Sequence, residues 1–293
     1  MSDLCSTVPL RQLGRLMLEW RNRSGLSQAR AAELLEMGAS SLARIEKAEI
    51  TRIKTTVIKE ACGIYGVPGD IAEGMIGLAQ QAKVKSWWHS YADLMPKNLD
   101  VYVGLEAAAV GCVVYQPDLI PGLLQTEAYD RALLKVRWPD EPEDERDRRA
   151  QIKQRRQITI TRKHRPLDLG VVIGQAALHR TVGGPTIMAS QLRHLADIST
   201  RENVSVRVLP FEAGFPGGIA MSPFVILDFG EPPRGEPTEP PVVYLEGAVG
   251  SMYLEEQDDV RFHYAVHDVI RQAALDEVAS RNLLRRLARE YSS

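Results

Sequence analysis

A short polar run near the start of the chain has the side chains needed to contact the edges of DNA bases. Residues 39–46, ASSLARIE, begin with three small side chains and include the long Arg44. Small side chains allow a helix backbone to approach the major groove closely, and an arginine reaches the hydrogen-bonding groups of a base pair. A helix here would bury Leu42 and Ile45 and leave the polar residues exposed.

The chain offers little catalytic chemistry by comparison. His263 and His267 could share a metal ion, but the residues between them lack the glutamate of an HExxH site, so a structural pair on a helix surface is favoured. Asp228 and Glu246 could form an acid pair, although anchoring a loop by hydrogen bonds is the commoner use. No GxSxG, GxGxxG or P-loop sequence is present. The sequence therefore predicts a protein that is not an enzyme and has no metal site or cofactor.

Residues 26–49 supply the elements that would position the polar run. Their sequence, LSQARAAELLEMGASSLARIEKAE, predicts two short helices joined by a tight turn at residues 36–38. Ser27 is suited to cap the first helix, since its hydroxyl can accept a hydrogen bond from a free amide of the first turn. Gly38 is an acceptable cap for the second helix, and Ala32 is small enough to let that helix cross closely.

Apolar periodicity on both sides extends this pair into an all-α domain predicted to span residues 1–68, followed by a connector helix over 69–86. The rest, residues 87–293, predicts a mixed α/β domain, so the fold class is α + α/β. Residues 230–241 are rich in proline and glycine and predict a mobile surface loop. Strands are expected at residues 111–116, 167–173, 204–211, 221–229 and 242–246, with helices at 99–109, 126–134, 141–160, 186–200, 258–274 and 276–291.

The N-terminal segment resembles the repressor-type (xenobiotic-response-element, XRE) class of helix-turn-helix domains. The resemblance implies that the third helix enters the major groove and that the protein binds as a homodimer to half-sites about one helical turn apart. It also implies a buried ion pair between Arg21 and Glu46. The residues that carry the resemblance are Ser27-Gln28, Ala32, Leu35, Ser40-Ser41-Leu42 and Arg44-Ile45-Glu46.

The resemblance also assigns the DNA contacts. Gln28 would hold a phosphate at a helix N-terminus, and Ala39, Ser40 and Arg44 would occupy the base-contacting positions. The chain departs from the class at the turn, where Glu36 replaces a frequent glycine. An alternative is a helix-turn-helix kept only as a protein-binding scaffold, with the later basic residues as ordinary solvated surface. The full predicted DNA-binding set is Ser27, Gln28, Ala39, Ser40, Ser41, Arg44, Lys47, Arg52 and Lys54.

Charge distribution agrees with a DNA-binding N-terminus. The chain carries a net charge of −2, yet residues 1–85 hold 12 basic and 9 acidic residues, a net of +3, and the remainder carries −5. The remainder has little electrostatic reason to approach DNA. No apolar stretch approaches the roughly 20 residues that span a bilayer, and the three cysteines show no zinc or disulfide spacing. A cytoplasmic protein, nucleoid-associated when bound to DNA, is expected.

The second region also carries a resemblance. The strings WWHSYADL, PGLLQT, VLPF and VVYLE follow one another in the order found in the regulatory domain C-terminal to such helix-turn-helix domains in many actinobacterial proteins, including the WhiJ-like developmental regulators. The resemblance implies transcriptional regulation, usually repression, with a small acidic partner protein in an antitoxin-like arrangement. Gln175 is a departure, since the family more often has glutamate there.

Two functions remain open at this stage. The first is a dimeric repressor whose C-terminal domain binds a small partner protein, encoded nearby, or a ligand that modulates DNA binding. The alternative is an antitoxin-like protein that mainly captures a partner, with DNA binding serving autoregulation. Exposed adjacent tryptophans are unfavourable, so Trp87 and Trp88 are expected either to begin the packing of the second domain or to line a ligand site. The candidate partner or ligand residues are Trp87, Trp88, Glu106 and Gln125.

Overall fold

The computed structural model describes residues 8–50, 53–82, 87–91, 93–95, 99–230, 239–247 and 250–292. These residues form two compact units. The first, called the helical unit, lies within residues 1–92, 97–108 and 229–240, and the second, called the sheet unit, lies within 93–96, 109–228 and 241–293. An all-helical first part and a mixed α/β second part confirm the predicted fold class.

The helical unit is built around a single apolar core. Leu13 and Met17 of the first helix pack with Leu42, Ile58 and Met75 from three other helices, and all five side chains are fully buried. The bounds of its helices are α1 (Val8–Arg23), α2 (Gln28–Leu34), α3 (Ala39–Glu46), α4 (Thr55–Tyr65), α5 (Gly69–Gln81) and α6 (Leu99–Ala108).

The turn between α2 and α3 follows the predicted capping chemistry. The Ser27 hydroxyl accepts a hydrogen bond from the Arg30 amide at 3.2 Å, which confirms the predicted cap of α2. Gly38 precedes α3 with extended backbone and makes no side-chain cap. Glu36 has a φ of 52°, a left-handed conformation that favours glycine. This explains why a glycine is common there in the class that the segment resembles.

Helix α5 does more than the connector role predicted for residues 69–86. Its Met75 and Ala79 side chains are fully buried in the core shared with α1 and α4. The prediction placed α5 outside the domain because Gly66 and Pro68 interrupt the helical pattern. These residues end α4 and turn the chain, and α5 then packs back onto the same core.

The sheet unit contains six strands in the order β3-β2-β1-β4-β5-β6. The first three strands pair in parallel and the last three pair antiparallel. Apart from Asp168, the residues of β1 and β2 are buried or half-buried, which accounts for the nearly continuous apolar sequence of the two strands. The strands are β1 (Gly111–Gln116), β2 (Asp168–Gly174), β3 (Val204–Leu209), β4 (Phe224–Asp228), β5 (Val242–Gly247) and β6 (Gly250–Leu254).

The five predicted strands correspond to β1 to β5, and β6 was not predicted. Strand β6 pairs with β5 alone and has no buried residue, so it lacks the apolar alternation by which a strand is recognised. The short helix α9 was missed as well. The helices of this unit are α7 (Glu127–Arg137), α8 (Glu143–Thr161), α9 (Gln175–His179), α10 (Pro185–Ile198), α11 (Gln257–Ala273) and α12 (Glu277–Glu290).

Two negative findings apply to the described part of the chain. None of its helices combines the length and apolar character needed to cross a membrane. Within the same residues, no group of three or more histidine, cysteine, aspartate or glutamate side chains is arranged to hold a metal ion. The predicted mobile loop at 230–241 lies largely outside the described residues.

The crossing of α1 and α3 depends on Gly14. A Cβ atom at this position would lie 2.7 Å from the Glu46 carbonyl oxygen and 2.8 Å from that of Ile45. These distances are shorter than van der Waals contact, and the obstructing atoms are backbone. A glycine at this point therefore sets how closely the two helices approach.

We expect Gly14→Ala to lower the free energy of unfolding by about 1–3 kcal/mol, because overpacking forces the helices apart. Gly63→Ala is the matched control, since Gly63 lies inside α4 with open space around its Cα, and alanine there should stabilise by about 1 kcal/mol. Denaturant unfolding of both variants provides the measurement. Equal effects at the two positions would contradict the close crossing.

Candidate nucleic-acid interface

The exposed face of α3 carries the side chains predicted to contact DNA. Leu42 and Ile45 are buried in the core of the helical unit. The residues that remain exposed, which the structure brings together on one surface, are Ala39, Ser40, Ser41, Arg44 and Lys47. Whether they contact DNA stays a prediction.

A buried ion pair fixes the end of α3 to α1. Arg21 donates from Nε to Glu46 Oε1 at 2.5 Å and from Nη2 to Oε2 at 3.1 Å, as the sequence resemblance implied. The Arg21 Nη1 atom also donates to the Leu26 carbonyl at 2.9 Å. The hydrogen bond to Glu46 raises the pKa of Arg21, so the guanidinium group remains charged. The pair therefore connects three segments: helix α1, the loop that precedes α2, and helix α3.

Gln28 takes part in this arrangement. Its Nε2 atom donates to Glu46 Oε2 at 3.1 Å. The residue was predicted to hold a phosphate, and it does lie at the N-terminus of α2. In the free protein, however, its amide is engaged by Glu46, which was not predicted. A phosphate contact through this amide would have to replace or share that bond.

Arg44 points toward the C-terminal end of α3. Its Nε and Nη2 atoms donate to the Glu49 carbonyl at 3.3 and 3.2 Å. Beside it lies a pocket of about 210 Å³, with Lys54 also on its rim and an apolar lining. The lining residues are Ser41, Arg44, Ile45, Ile50, Ile53, Lys54 and Val57. The positively charged side chains of Arg44 and Lys54 therefore lie beside a pocket lined mainly by isoleucine and valine, at the edge of the α3 surface.

The remaining predicted DNA contacts differ in what the structure says of them. Ser27 uses its hydroxyl to cap α2, so the residue lies at the N-terminus of that helix. Lys47 and Lys54 are exposed. Arg52 lies outside the described residues.

The four candidate partner or ligand residues are largely buried. Trp87 and Trp88 lie in a 3-10 turn, Trp87–Tyr91, with ring centroids 5.8 Å apart in an edge-to-face arrangement. Trp88 is buried and Trp87 partly so. Glu106 is completely buried on α6. These three belong to the helical unit, whereas Gln125 belongs to the sheet unit. Their burial is what a packing role requires, and a ligand role stays a prediction.

Gln125 belongs to a buried polar network that sequence reasoning missed. Its side chain accepts a hydrogen bond from Lys153 Nζ at 2.7 Å and donates to the Ile120 carbonyl at 2.7 Å. Lys153 also pairs with Asp130, and burial lowers the pKa of Lys153 although Asp130 favours its charged form. Gln157 donates to the Gln125 carbonyl at 2.7 Å. The four-residue spacing of Lys153 and Gln157 was the available indication that α8 has an inward polar face.

The two histidines considered as metal ligands lie on α11 and are both buried rather than on a helix surface as expected. His263 contacts the Asp259 carbonyl through Nδ1 at 2.8 Å, and its ring packs edge-on against Phe224. Burial lowers the pKa of His267. The surroundings of this pair are those of packed core residues.

The helix-turn-helix formed by α2 and α3 is the domain type of a DNA-binding regulator. A helix-turn-helix domain model matches residues 12–73. A second model, described as a domain of unknown function (DUF5753), matches residues 99–286. The chain belongs to this DUF5753 family. The comparisons with curated proteins and with solved structures found no match.

Breaking the buried ion pair should be strongly destabilising. Arg21→Leu or Glu46→Leu alone is expected to cost about 3–5 kcal/mol, because each leaves one buried charge unpaired. The double variant should recover much of that loss. Arg30→Ala, which removes an exposed pair with Glu33, should cost at most about 1 kcal/mol. Denaturant unfolding provides the comparison, and strictly additive losses in the double variant would contradict the account.

The Tyr65 hydroxyl near this pair gives a pH prediction. Burial and the Glu46 charge raise the pKa of Tyr65 to about 12, and the hydroxyl has no hydrogen-bond partner within the described residues. The folded state therefore holds its proton more tightly than the unfolded state, and stability falls as pH rises from about 10 to about 12. Tyr65→Phe lacks this titrating hydroxyl, so its free energy of unfolding should fall by about 1–2 kcal/mol less than that of the wild-type protein over this pH range. Parallel losses in the two proteins would contradict the assignment.

Proposed function

We propose that the chain is a sequence-specific transcriptional regulator, a repressor that binds operator DNA as a homodimer through α3. The observation that carries the proposal is a small polar helix face left exposed on a helix that an ion pair and a glycine crossing hold in place. A fixed helix can enter a groove without paying to become ordered. The match to a helix-turn-helix domain over residues 12–73 supports the same surface.

The side chains divide into base contacts and phosphate contacts. Ala39 and Ser40, in the first turn of α3, are assigned to base edges, with Ala39 offering only its methyl group. Arg44 is assigned to a base edge as well, which requires release of its bonds to the Glu49 carbonyl. Phosphate contacts, which position the protein without specifying sequence, are assigned to Ser27, Gln28, Ser41, Lys47, Arg52 and Lys54.

The sheet unit is assigned to regulation. In this proposal it binds a small partner protein or ligand, and that binding changes the affinity for DNA by a coupling free energy of about 1–3 kcal/mol. The ordered resemblance of its sequence to the C-terminal domains of WhiJ-like regulators supports this role. The predicted division after residues 68 and 86 is retained as a proposal for the functional boundaries, with α5 structurally part of the DNA-binding core.

The assignment of Arg44 can be tested against that of Lys47. Arg44→Ala should weaken binding to the preferred DNA sequence by about 1–3 kcal/mol, with a much smaller loss on a duplex of random sequence. Lys47→Ala should weaken both by similar factors and reduce the salt dependence of binding. Titration of labelled duplexes at two salt concentrations provides the measurement.

Equal losses for Arg44→Ala on both duplexes would assign Arg44 to phosphate, in line with its position beside Lys54 at the pocket. No binding of any duplex by the wild-type protein would contradict the proposed function as a whole.

A further inference from the structure

Helix α11 of the sheet unit has a buried side and an exposed side. Its buried residues are Val260, His263, His267 and Ile270, and two of them, Val260 and Ile270, belong to an apolar core shared with the strands. On the opposite side Phe262 is 49% exposed and Val269 is 44% exposed. Ala265 lies between them and is exposed as well. Phe262, Ala265 and Val269 are called the α11 seam.

The residues of the seam recur at intervals of three and four positions. This is the spacing at which two helices pack side by side, each filling gaps in the other with its apolar side chains. Ala265 at the middle is small enough for a second helix to approach closely. The 3-10 turn Pro216–Gly218 contacts α11, and the residues that flank this turn, Phe215 and Ile219, are also exposed. Exposed apolar side chains that are grouped rather than scattered mark an interaction surface.

Charged residues follow one edge of the seam. Arg261 and Asp268 are exposed and lie seven positions apart, so they project from the same side of the helix. Within the chain Arg261 pairs with Asp258, and Asp268 pairs with Arg271, through contacts between exposed side chains. Such pairs contribute little to stability, so they can exchange partners at small cost. One edge of the seam therefore carries a positive charge and, two turns further along, a negative charge.

This pattern complements itself when a second copy of α11 runs in the opposite direction. A two-fold axis beside Ala265 would place Phe262 of each copy against Val269 of the other. The same axis would bring Arg261 of each copy to Asp268 of the other, which forms two equivalent ion pairs. A parallel arrangement would instead place each charge beside its own counterpart, where like charges repel.

We propose that the α11 seam is the surface through which two copies of this chain form an antiparallel, two-fold-symmetric dimer. Such an interface uses the same patch on both copies. The inference rests on the proposed homodimer and names its surface. DNA half-sites related by a two-fold axis require a protein dimer with the same symmetry, and the self-complementary charges of α11 supply that symmetry.

The first test measures the mass of the full chain by sedimentation equilibrium over a range of micromolar concentrations. Phe262→Glu places a charge in the seam, and it should raise the dimer dissociation constant at least about tenfold. Val278→Glu is the matched control, because Val278 is an exposed valine of α12 and its replacement adds the same charge. The control should change the dissociation constant less than about twofold.

An exchange of charges separates contacts between copies from contacts within one copy, and it applies even if Phe262→Glu proves unstable. Arg261→Asp alone and Asp268→Arg alone each bring like charges together across the seam, so each should raise the dissociation constant at least about threefold. The double variant restores opposite charges between copies and should return the constant to within about twofold of the wild-type value. Within one copy the double variant does the reverse, since it leaves Asp258 and Arg271 each beside a like charge.

A cysteine at the axis gives a third measurement. Ala265→Cys should form a disulfide between copies on mild oxidation, because the axis would bring the two Cα atoms within the roughly 4–7 Å that a disulfide spans. Val278→Cys is the control, and it should run as a monomer on a denaturing gel without reductant. Both are made together with Cys5→Ser, since the other natural cysteines, Cys62 and Cys112, are buried.

These measurements distinguish the surface from the proposed function. A wild-type dimer that Phe262→Glu leaves intact would assign the dimer to another surface and overturn the proposal, while the proposed function stands. A double charge variant that dimerises more weakly than both single variants would place the ion pairs within one copy and overturn the antiparallel arrangement. A wild-type monomer, with and without DNA, would contradict the proposed homodimer itself, and the role of the seam would fall with it.

Discussion

The buried pair of Arg21 and Glu46 is the interaction on which the proposed DNA-binding surface depends. A buried charge must be paired to be tolerated, and here each charge is satisfied by the other and by a further group, the Leu26 carbonyl or the Gln28 amide. The pair therefore fixes three segments relative to one another: α1, the start of α2 and the end of α3. Gly14 brings α1 and α3 into backbone contact at the same place.

Because the buried side of α3 holds the helix in place, its exposed side is not needed for folding and can present functional side chains. Stability comes from Leu42, Ile45 and Glu46, which point inward. The outward positions make no contribution to the core, so they can hold short side chains that let the helix approach a groove. Glu239, which lies in sequence between β4 and β5, makes a second charged contact on α1, with Arg11 and Arg15.

Much of the architecture could be predicted because it depends on local sequence. Periodicity located the helices, the Ser27 cap followed from its hydroxyl, and the apolar runs of β1 and β2 indicated buried strands. What could not be predicted depends on tertiary contacts. Strand β6 is an edge strand with no buried residue, and α5 belongs to the core only because the chain turns back after Gly66. For the candidate site, the exposed face of α3 followed from the spacing of Leu42 and Ile45, and the ion pair followed from the resemblance. The bonds of Gln28 and Arg44, and the docking of Glu239, depend on neighbours that no spacing in the sequence reveals.

The central claim is that α3 gives this protein sequence-specific, two-fold-symmetric recognition of DNA. The most direct measurement is selection of bound duplexes from a random library by the intact protein at near-physiological salt. The account predicts an enriched motif with two related half-sites about 10 base pairs apart, the spacing that places two copies of α3 in successive major grooves on one side of the duplex. Recovery of no enriched motif, with binding that depends only on salt, would contradict it.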